Sequence, residues 1–473
     1  MNTIPTNAKE STSDVARALD RIGLTRAHKV ILLVVMLGGF FDVFEQNGAS
    51  VTGPALREAW GISATDVSLI AFTTFISMVV GGLVTGVLAD RAGRKTLFAF
   101  NLAIYSVGGL LCALSPDFGW LLVGRVIVGL ALGGELTIAL PYLSELMPTK
   151  FRGTAVSLFN FGAGGLGNPI SFLFGALILG VLGPALSHLG GAWRWYFGLL
   201  ALPALLVLYI RRNLPETPRF LVSRGRIDDA NEALARLDSG TLKTVPASRV
   251  TEYLPADTDT IALNDRRHSL WSDIRLLFTG RYLRNTLTVG IASFVSFGAH
   301  VGVLTMVPLI LVDRGFDIGS SLGFTAAMQG GALAGALASA WTSRRFPRRL
   351  VMPVAGTLAG VFGLLFGVLG TTVPLIIGFG ILFNFFVMIS NTTIWAWAPE
   401  LFPTRVRATG TGVIVNMGML GQAILPVIAA GVFTSFGVAP MFILIASAFA
   451  LLVVLSLLAP ETQGRSLEEM HGE

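Results

Sequence analysis

Long apolar runs alternate with short polar breaks along this chain, and the runs set its architecture. Read on a window of about 19 residues, twelve of them are long enough to cross a bilayer: 29–52, 67–89, 96–115, 119–141, 154–182, 193–211, 284–312, 321–342, 349–370, 372–397, 409–434 and 437–459. They are too continuous for the alternating strands of a membrane barrel, so the pattern predicts an all-α integral membrane protein. The long polar interruption, 212–283, divides six spans from six. The chain therefore divides into a polar tail (1–28), a first six-helix bundle (29–211), a linker (212–283), a second bundle (284–459) and a short tail (460–473). Within the linker, Arg219 to Leu237 keeps a helical period and suits an amphipathic helix at the membrane surface. Ser239 to Asp265, rich in Thr, Asp and Pro, reads as poorly ordered.

The two halves repeat one another. The stretch GRVIVGLALGGELTIALPYLSELMPTKFRG, Gly124 to Gly153, ends in a loop that returns in altered form as APELFPTRVRATGTG, Ala398 to Gly412. An apolar helix leads into each copy and a Gly-rich apolar helix follows it. The first stretch also places Arg125 and Glu135 inside a span, where a charge costs a few kcal/mol and normally faces a partner or a wet cavity. The first span holds Asp42, Glu45, Gln46 and Asn47 within GGFFDVFEQNGAS. On a helix Asp42 shares a face with Glu45 and Gln46, with Asn47 rotated away. Two carboxylates one turn apart in a membrane cannot both ionise cheaply, so one of them is expected to carry a proton.

Composition agrees with a membrane protein: 53% hydrophobic residues, 13% charged, and a mean hydropathy of +0.71. The 55 glycines suit close helix packing. A net charge of +6 would suggest nucleic acid in a soluble protein, but here the bases sit in alternate short loops. These are Arg91, Arg94 and Lys95; Lys150 and Arg152; the linker; Arg344, Arg345, Arg348 and Arg349; and Arg405 and Arg407. That asymmetry places both termini in the cytoplasm, with a bacterial inner membrane as the expected location and no nucleic-acid partner. The one cysteine, Cys112, can form no intrachain disulfide, and Met1 to His28 lacks the apolar core of a signal peptide. The Gly-rich run Phe161 to Gly167 lacks the Lys-Ser/Thr of a phosphate loop and reads as helix packing. No metal-ligand spacing or nucleophile constellation stands out. An enzyme is not expected, nor a cofactor beyond a coupling proton.

After the second span comes GVLADRAGRKTL, Gly86 to Leu97, whose order Gly-x-x-x-Asp-Arg-x-Gly-Arg-Lys resembles the signature between spans two and three of the major facilitator superfamily. The resemblance covers nearly the whole chain. GRVIVGLALGG is similar to the superfamily's fourth-span motif, and PYLSELMPTKFRG to the loop after it. PETPRFLVSRGR and the C-terminal PETQGRSLEEM resemble elements of sugar-porter-like members, a pattern shared with organic-acid and nicotinate branches. It implies the major facilitator fold: two six-helix bundles related about an axis along the membrane normal, the substrate held between them near the midplane. It also implies secondary transport by alternating access. Asp42 and Arg125 match the first-span Asp and fourth-span Arg of proton-coupled members and would form a coupling pair. Glu45 and Glu135 would be further protonation sites or substrate groups. Asp90, Arg91, Arg94, Glu145, Arg152, Glu400 and Arg407 would be gate charges that pair when the protein faces outward.

By the same resemblance Asn160 falls at a fifth-span Gln and Trp395 at a tenth-span Trp of sugar porters. Span seven lacks their paired glutamines and offers Phe294, Phe297 and His300 instead. His300 is open to three roles: proton carrier, anion contact or packed polar residue. The candidate substrate contacts are Phe44, Gln46, Asn160, Phe297, His300, Asn384, Asn391 and Trp395, a mixture of rings, amides and an imidazole that suits a small, partly aromatic organic acid. The expected function is proton-coupled uptake of such an acid, for example an aromatic or pyridine carboxylate, by a monomer in a lipid bilayer. A sugar or polyol symporter or facilitator, a proton-driven exporter and a receptor-like protein that does not turn over remain alternatives.

Overall fold

The computed structural model describes residues 6–202, 209–210, 213–243, 253–255, 270–403 and 406–462. Every regular element among them is helical. In chain order these are α1 (Thr6–Ile22), α2 (Arg26–Gln46), α3 (Gly48–Trp60), α4 (Ala64–Ala92), α5 (Arg94–Ala113) and α6 (Phe118–Leu146). There follow α7 (Thr149–Asn160), α8 (Gly167–Gly175), α9 (Gly183–Leu186), α10 (Ala192–Leu199), α11 (Pro218–Ser223), α12 (Ile227–Asp238) and α13 (Leu270–Leu277). The second half comprises α14 (Gly280–Asp313), α15 (Ile318–Arg345), α16 (Arg348–Leu369), α17 (Val373–Trp397), α18 (Arg407–Phe436) and α19 (Val438–Leu458).

Among the described residues, ten helical segments are long and apolar enough to cross a membrane. The two expected spans outside this set have separate reasons. The sixth is described only over 193–202 and 209–210, since 203–208 and 211–212 lie outside the described residues. The eighth, α15, is long enough at 28 residues but dilutes its apolar content with Gly, Ser and Gln. The first span runs on to Trp60 and is interrupted at Asn47, between α2 and α3. The fifth is α7 and α8 joined by a π-helical turn at Phe161–Leu166 and extended by another at Ala176–Val181. The glycines of that first turn serve packing: Gly162 backs onto Met36, and Gly165 onto Leu333.

Helix starts follow local chemistry. Ser63 and Asp66 form a reciprocal capping box at α4, Asp117 caps α6 through Trp120 N–H (3.0 Å), and Asp317 caps α15 through Ser320 N–H (2.9 Å). Glycine then decides which helices touch. A Cβ on Gly81 would overlap the Leu130 carbonyl and one on Gly133 the Met78 carbonyl, so α4 and α6 pack backbone to backbone. Gly331 and Gly335 bring α15 against Ile381 and Phe385 of α17 in the same way. The second and fourth spans thus pair like the eighth and tenth, and the repeat seen in the loops extends into packing.

The halves meet along α4 with α18 and α8 with α15. At the end away from the basic loops they close together: Gly180 lies against Gly319, Ser50 Oγ is 3.2 Å from Thr305 Oγ1, and Arg57 pairs with Asp313 at 3.0 Å. At the basic end they stand apart. The N-terminal segment, expected as a polar tail, holds α1 from Thr6 to Ile22, which buries Val15, Ala18 and Leu19 against the first half. The linker helix α12 exists, but its apolar face is covered by protein: Leu234 and Leu237 are buried, and Thr25 Oγ1 donates to Leu237 O at 2.7 Å. Of Ser239 to Asp265, residues 244–252 and 256–265 lie outside the described residues, as do Arg405 and 463–473.

Candidate functional site

Between the halves lies a cavity of about 1350 Å³, open towards the basic loops, where Gly86, Thr137, Pro141, Ala398 and Ala408 form its mouth. Its wall is apolar, with many amides. Among the lining residues the ionisable ones are Asp42 and His300, and none is Lys or Arg. Of the candidate substrate contacts, Gln46, Asn160, Phe297, His300, Asn391 and Trp395 line it. Phe44 does not: it is buried in the first half against Phe40, Phe41 and Phe174, because it points to the opposite side of α2 from Gly39 and Val43. Asn384 also stays behind the wall, where it holds His300.

Arg125 is fully buried on α6. The sequence pairs it with Asp42, but the structure pairs it with Glu45: Nη1 lies 2.5 Å from Glu45 Oε2, Nη2 donates to Glu45 O at 2.6 Å, and Nε donates to Thr74 Oγ1 at 3.0 Å. Helix direction explains the correction. The helices α2 and α6 run antiparallel, so the residue nearer the closed end of α2, Glu45, meets Arg125, near the start of α6. Ten residues on, about 15 Å along α6, Glu135 meets Asp42 instead. A Cβ on Gly38 would come 2.6 Å from Glu135 Oε1, which shows how closely α2 covers this acid.

Asp42 and Glu135 therefore form a carboxyl pair, 1% and 0% exposed, with no ion pair to a cation among the described residues. As carboxylates, none of their four oxygens has a donor. Two acids in contact in a dry site cannot both be ionised, and a proton shared between them supplies the missing donor. Asp42 is the member that reaches the cavity.

The facing wall, from the second half, is uncharged. His300 Nε2 lies 3.2 Å from Asn384 Oδ1, and its Nδ1 is 3.4 Å from Asn391 Nδ2. Asn391 Oδ1 accepts in turn from Ser296 Oγ at 2.7 Å. With the amides so oriented, these bonds fit the neutral Nε2–H imidazole, so His300 is a positioned hydrogen-bonding group. Phe297 meets Trp395 edge to face, centroids 6.3 Å apart. Across the cavity, Asn47, at the break between α2 and α3, donates to Asn168 Oδ1 (3.0 Å) and Ser171 Oγ (2.8 Å). This amide group was missed: on an unbroken helix Asn47 turns away, and only the break aims it at α8.

The basic end repeats one device twice. Arg94 pairs with Glu145 at 2.9 Å, and Arg348 with Glu400 at 3.2 Å. Glu216 of the first Pro-Glu-Thr accepts from the backbone N–H of Arg94 and Lys95, both at 3.1 Å, at the start of α5. Glu461 of the second accepts from Arg348 N–H (3.2 Å) and Arg349 N–H (2.9 Å) at the start of α16. An anion at a helix N-terminus satisfies free donors and the helix dipole together. Tyr142 Oη donates to Pro215 O (2.8 Å) and Trp397 Nε1 to Pro460 O (3.2 Å). Burial pushes the Glu216 carboxyl above the ordinary range, against the pull of its backbone donors and of Arg94. Gly93, at φ 89°, leaves room for Glu216, which a Cβ would strike.

These gate charges pair within each half while the basic end is open, so pairing does not wait for closure. Arg152 donates Nε to Met147 O at 3.1 Å, and Arg407 begins α18. The side chains of Asp90 and Arg91 lie outside the described residues. Glu216, Glu461, Arg348 and Thr74 were not singled out beforehand. The two Pro-Glu-Thr runs were noted as motifs, and their spacing behind each bundle was the available signal.

Comparison with known proteins accounts for this architecture. A niacin transporter of Acinetobacter baylyi is 30% identical over 461 residues, 97% of this chain and 99% of its own. A glucose transporter of Staphylococcus epidermidis is 26% identical over 469 residues, 95% and 98% of the two chains. The inward-open xylose transporter XylE from E. coli superposes with a TM-score of 0.70 at 19% identity, over 94% of this chain and 99% of that one. The fold is the all-helical major facilitator fold, and the chain is a transporter, not an enzyme. Residues 12–473 match the sugar (and other) transporter family, and the chain belongs to it.

Proposed function

We propose that this protein couples uptake of a small organic acid, an aromatic or pyridine carboxylate, to proton entry by alternating access. The observation that carries the proposal is the Asp42–Glu135 pair at the wall of the central cavity, two buried acids with no ion pair to a cation among the described residues. At rest the pair shares one proton and keeps one negative charge. A second proton neutralises it. A carboxylate entering a cavity without Lys or Arg is repelled by the first state and tolerated by the second, so charge balance ties substrate to proton. With the basic loops inside, the cavity opens to the cytoplasm, the state from which both would be released. Release of the substrate then favours loss of the proton, and the protein returns empty.

For the substrate, Phe297 and Trp395 offer ring faces and edges, while His300, Asn391, Asn47 and Gln46 offer directed hydrogen bonds. A flat heteroaromatic acid uses both. The naming of a relative 30% identical over 97% of this chain as a niacin transporter supports this class. The amide-rich wall also favours a second reading, a sugar, as in the glucose transporter relative.

The test is transport by the full-length protein in liposomes with an imposed inward proton gradient, against nicotinate, benzoate, a short aliphatic acid and a hexose. Accumulation of an aromatic carboxylate that collapses with a protonophore is expected. Hexose flux indifferent to the gradient, with no carboxylate uptake, would sink the proposal in favour of the sugar reading.

A further inference from the structure

Behind and within the wall of the second half, four side chains form one hydrogen-bonded chain, and a backbone oxygen decides its direction. It runs from the Gly380 carbonyl through Asn384, His300 and Asn391 to Ser296. All four residues are buried, none more than 8% exposed. Such a chain has two senses, since an amide can turn over, a neutral imidazole has two tautomers and a hydroxyl can donate or accept. A carbonyl oxygen can only accept. Asn384 sets one arm of its amide 2.8 Å from Gly380 O, one turn earlier on α17, so that arm is the N–H₂.

The remaining links then have no freedom. Asn384 Oδ1 faces His300 Nε2 at 3.2 Å and calls for a proton there. The neutral ring is left with a bare Nδ1, and the Asn391 atom 3.4 Å from it must be the donor, Nδ2. Asn391 Oδ1 accordingly turns to Ser296, whose hydroxyl donates to it at 2.7 Å. The reverse sense would set the Asn384 oxygen against the Gly380 oxygen, two buried acceptors without a proton between them. One N–H of Asn391 remains outside the chain. Asn391 stands in the middle of the cavity-facing stripe of α17, with Met388, Trp395 and Ala398, whereas Asn384 does not line the cavity. His300 lines it as well, but its proton is held by Asn384.

We propose that Asn384 is a positioning residue for specificity: acting through His300, it turns an Asn391 N–H towards the ligand, so that the site prefers a carboxylate to the matching carboxamide. This assignment rests on the organic-acid reading above and deepens it. A carboxylate presents acceptors alone, and a hydrogen bond to its charge is about twice as strong as one to a neutral oxygen. A carboxamide presents one neutral oxygen, and its own N–H₂ finds no acceptor at Asn391, whose oxygen is taken by Ser296. Without Asn384, His300 can carry its proton on either nitrogen and Asn391 can turn over. The chain is neutral throughout, so it favours the carboxylate without a fixed positive charge.

The experiment is calorimetric titration of the purified full-length protein at pH 6 with two matched pairs, benzoate and benzamide, nicotinate and nicotinamide, and with glucose as the neutral alternative. Wild type is compared with Asn384→Leu, Asn391→Leu, the double variant and Trp395→Ala. Asn384→Leu is expected to lower the acid-over-amide preference about 5-fold or more, although Asn384 lies behind the wall. Asn391→Leu should lower it at least as far, and the double variant no further than Asn391→Leu, because both act on one N–H. Trp395→Ala should weaken acid and amide alike and keep the ratio. Losses that multiply in the double variant, or an equal fall in Trp395→Ala, would overturn the assignment. If wild type binds the acids and Asn384→Leu keeps the wild-type ratio, the assignment alone falls. If wild type binds glucose and none of the acids, the function proposed above falls with it. Should Asn384→Leu not fold, nitrogen-15 spectra of wild type labelled at histidine read the tautomer directly, His300 being the signal lost in His300→Gln. A proton on Nε2 with Nδ1 bare is expected, and a proton on Nδ1 would overturn the assignment.

Discussion

Replacing Glu45 by Gln and, separately, Asp42 by Asn separates the two acids, because the structure gives them opposite roles. Glu45→Gln leaves Arg125, fully buried and held at 2.5 Å by the lost charge, as an uncompensated cation. Removing one partner of a buried ion pair costs about 3–5 kcal/mol. The neutral contacts to the Glu45 carbonyl and to Thr74 survive, so the loss should not exceed that range. Asp42→Asn does something different. It replaces one of two facing carboxyls by an amide whose N–H₂ can donate to Glu135, supplying the donor that the pair otherwise takes from a shared proton. Its stability should stay within about 1 kcal/mol of wild type.

Cys112 makes the measurement direct. It is the one cysteine in the chain and is fully buried, so a thiol-reactive fluorogenic dye reports unfolding alone. For a cooperative unit the size of one half, 1 kcal/mol moves the midpoint by about 2–4 °C. Glu45→Gln should therefore melt roughly 6–20 °C below wild type, and Asp42→Asn within a few degrees of it. A large drop for Asp42→Asn with Glu45→Gln unchanged would refute the pairing and restore Asp42 as the partner of Arg125.

Other expected outcomes test other parts of the site. Gly38→Ala puts a methyl 2.6 Å from Glu135 Oε1 and should push that carboxyl from Asp42, cutting proton-driven accumulation about 10-fold or more in the liposome assay. Trp395→Ala removes a half-exposed ring from the cavity wall; half-saturation for an aromatic acid should rise about 10-fold, equivalent to about 1.4 kcal/mol, with the melting midpoint unchanged. Glu216 has a carboxyl raised above its ordinary value of 4.5 in the folded state, so folding favours its protonated form, and stability is lost as pH rises through the folded value. Glu216→Gln should remove that loss, and melts from pH 4 to 8 should show the variant gaining on wild type as pH rises.

Much of the site was legible in the sequence because charge inside an apolar run is conspicuous. Asp42, Glu45, Arg125 and Glu135 could each be singled out, as could the Glu145 and Glu400 loops, since a membrane leaves little reason for an idle charge. The pairing was not legible. It depends on how far α2 slides along α6, a quantity set by where Gly38, against Glu135, and Gly48, against Arg125, let the helices touch. Asn47 escaped because a helical wheel assumes an unbroken helix. The N-terminal helix α1 was read as a tail because its few apolar positions, Val15, Ala18 and Leu19, are scattered among charges.

The repeat between the halves shows where function departs from fold. The offset that carries Glu145 to Glu400 also carries Tyr142 to Trp397, and both pairs perform the same task at the basic end. Carried deeper into the span, the same offset takes Glu135 to Ser390 and Arg125 to Gly380, which gives up its side chain to Met328. The gate is duplicated, but the charged centre is not. In the second half the middle of the tenth span instead carries Asn384 and Asn391, which orient His300 through neutral hydrogen bonds. On the proposed mechanism the halves divide the work: the first changes charge, and the second, with fixed amides and rings, reads the ligand. Among the described residues Asp42 is the one acid of the first half at the cavity wall, so a bound carboxylate opposite His300 lies between the two. That placement lets substrate and proton influence each other across the cavity without a charge in the second half, where an arginine would bind the carboxylate regardless of protonation and uncouple the pair.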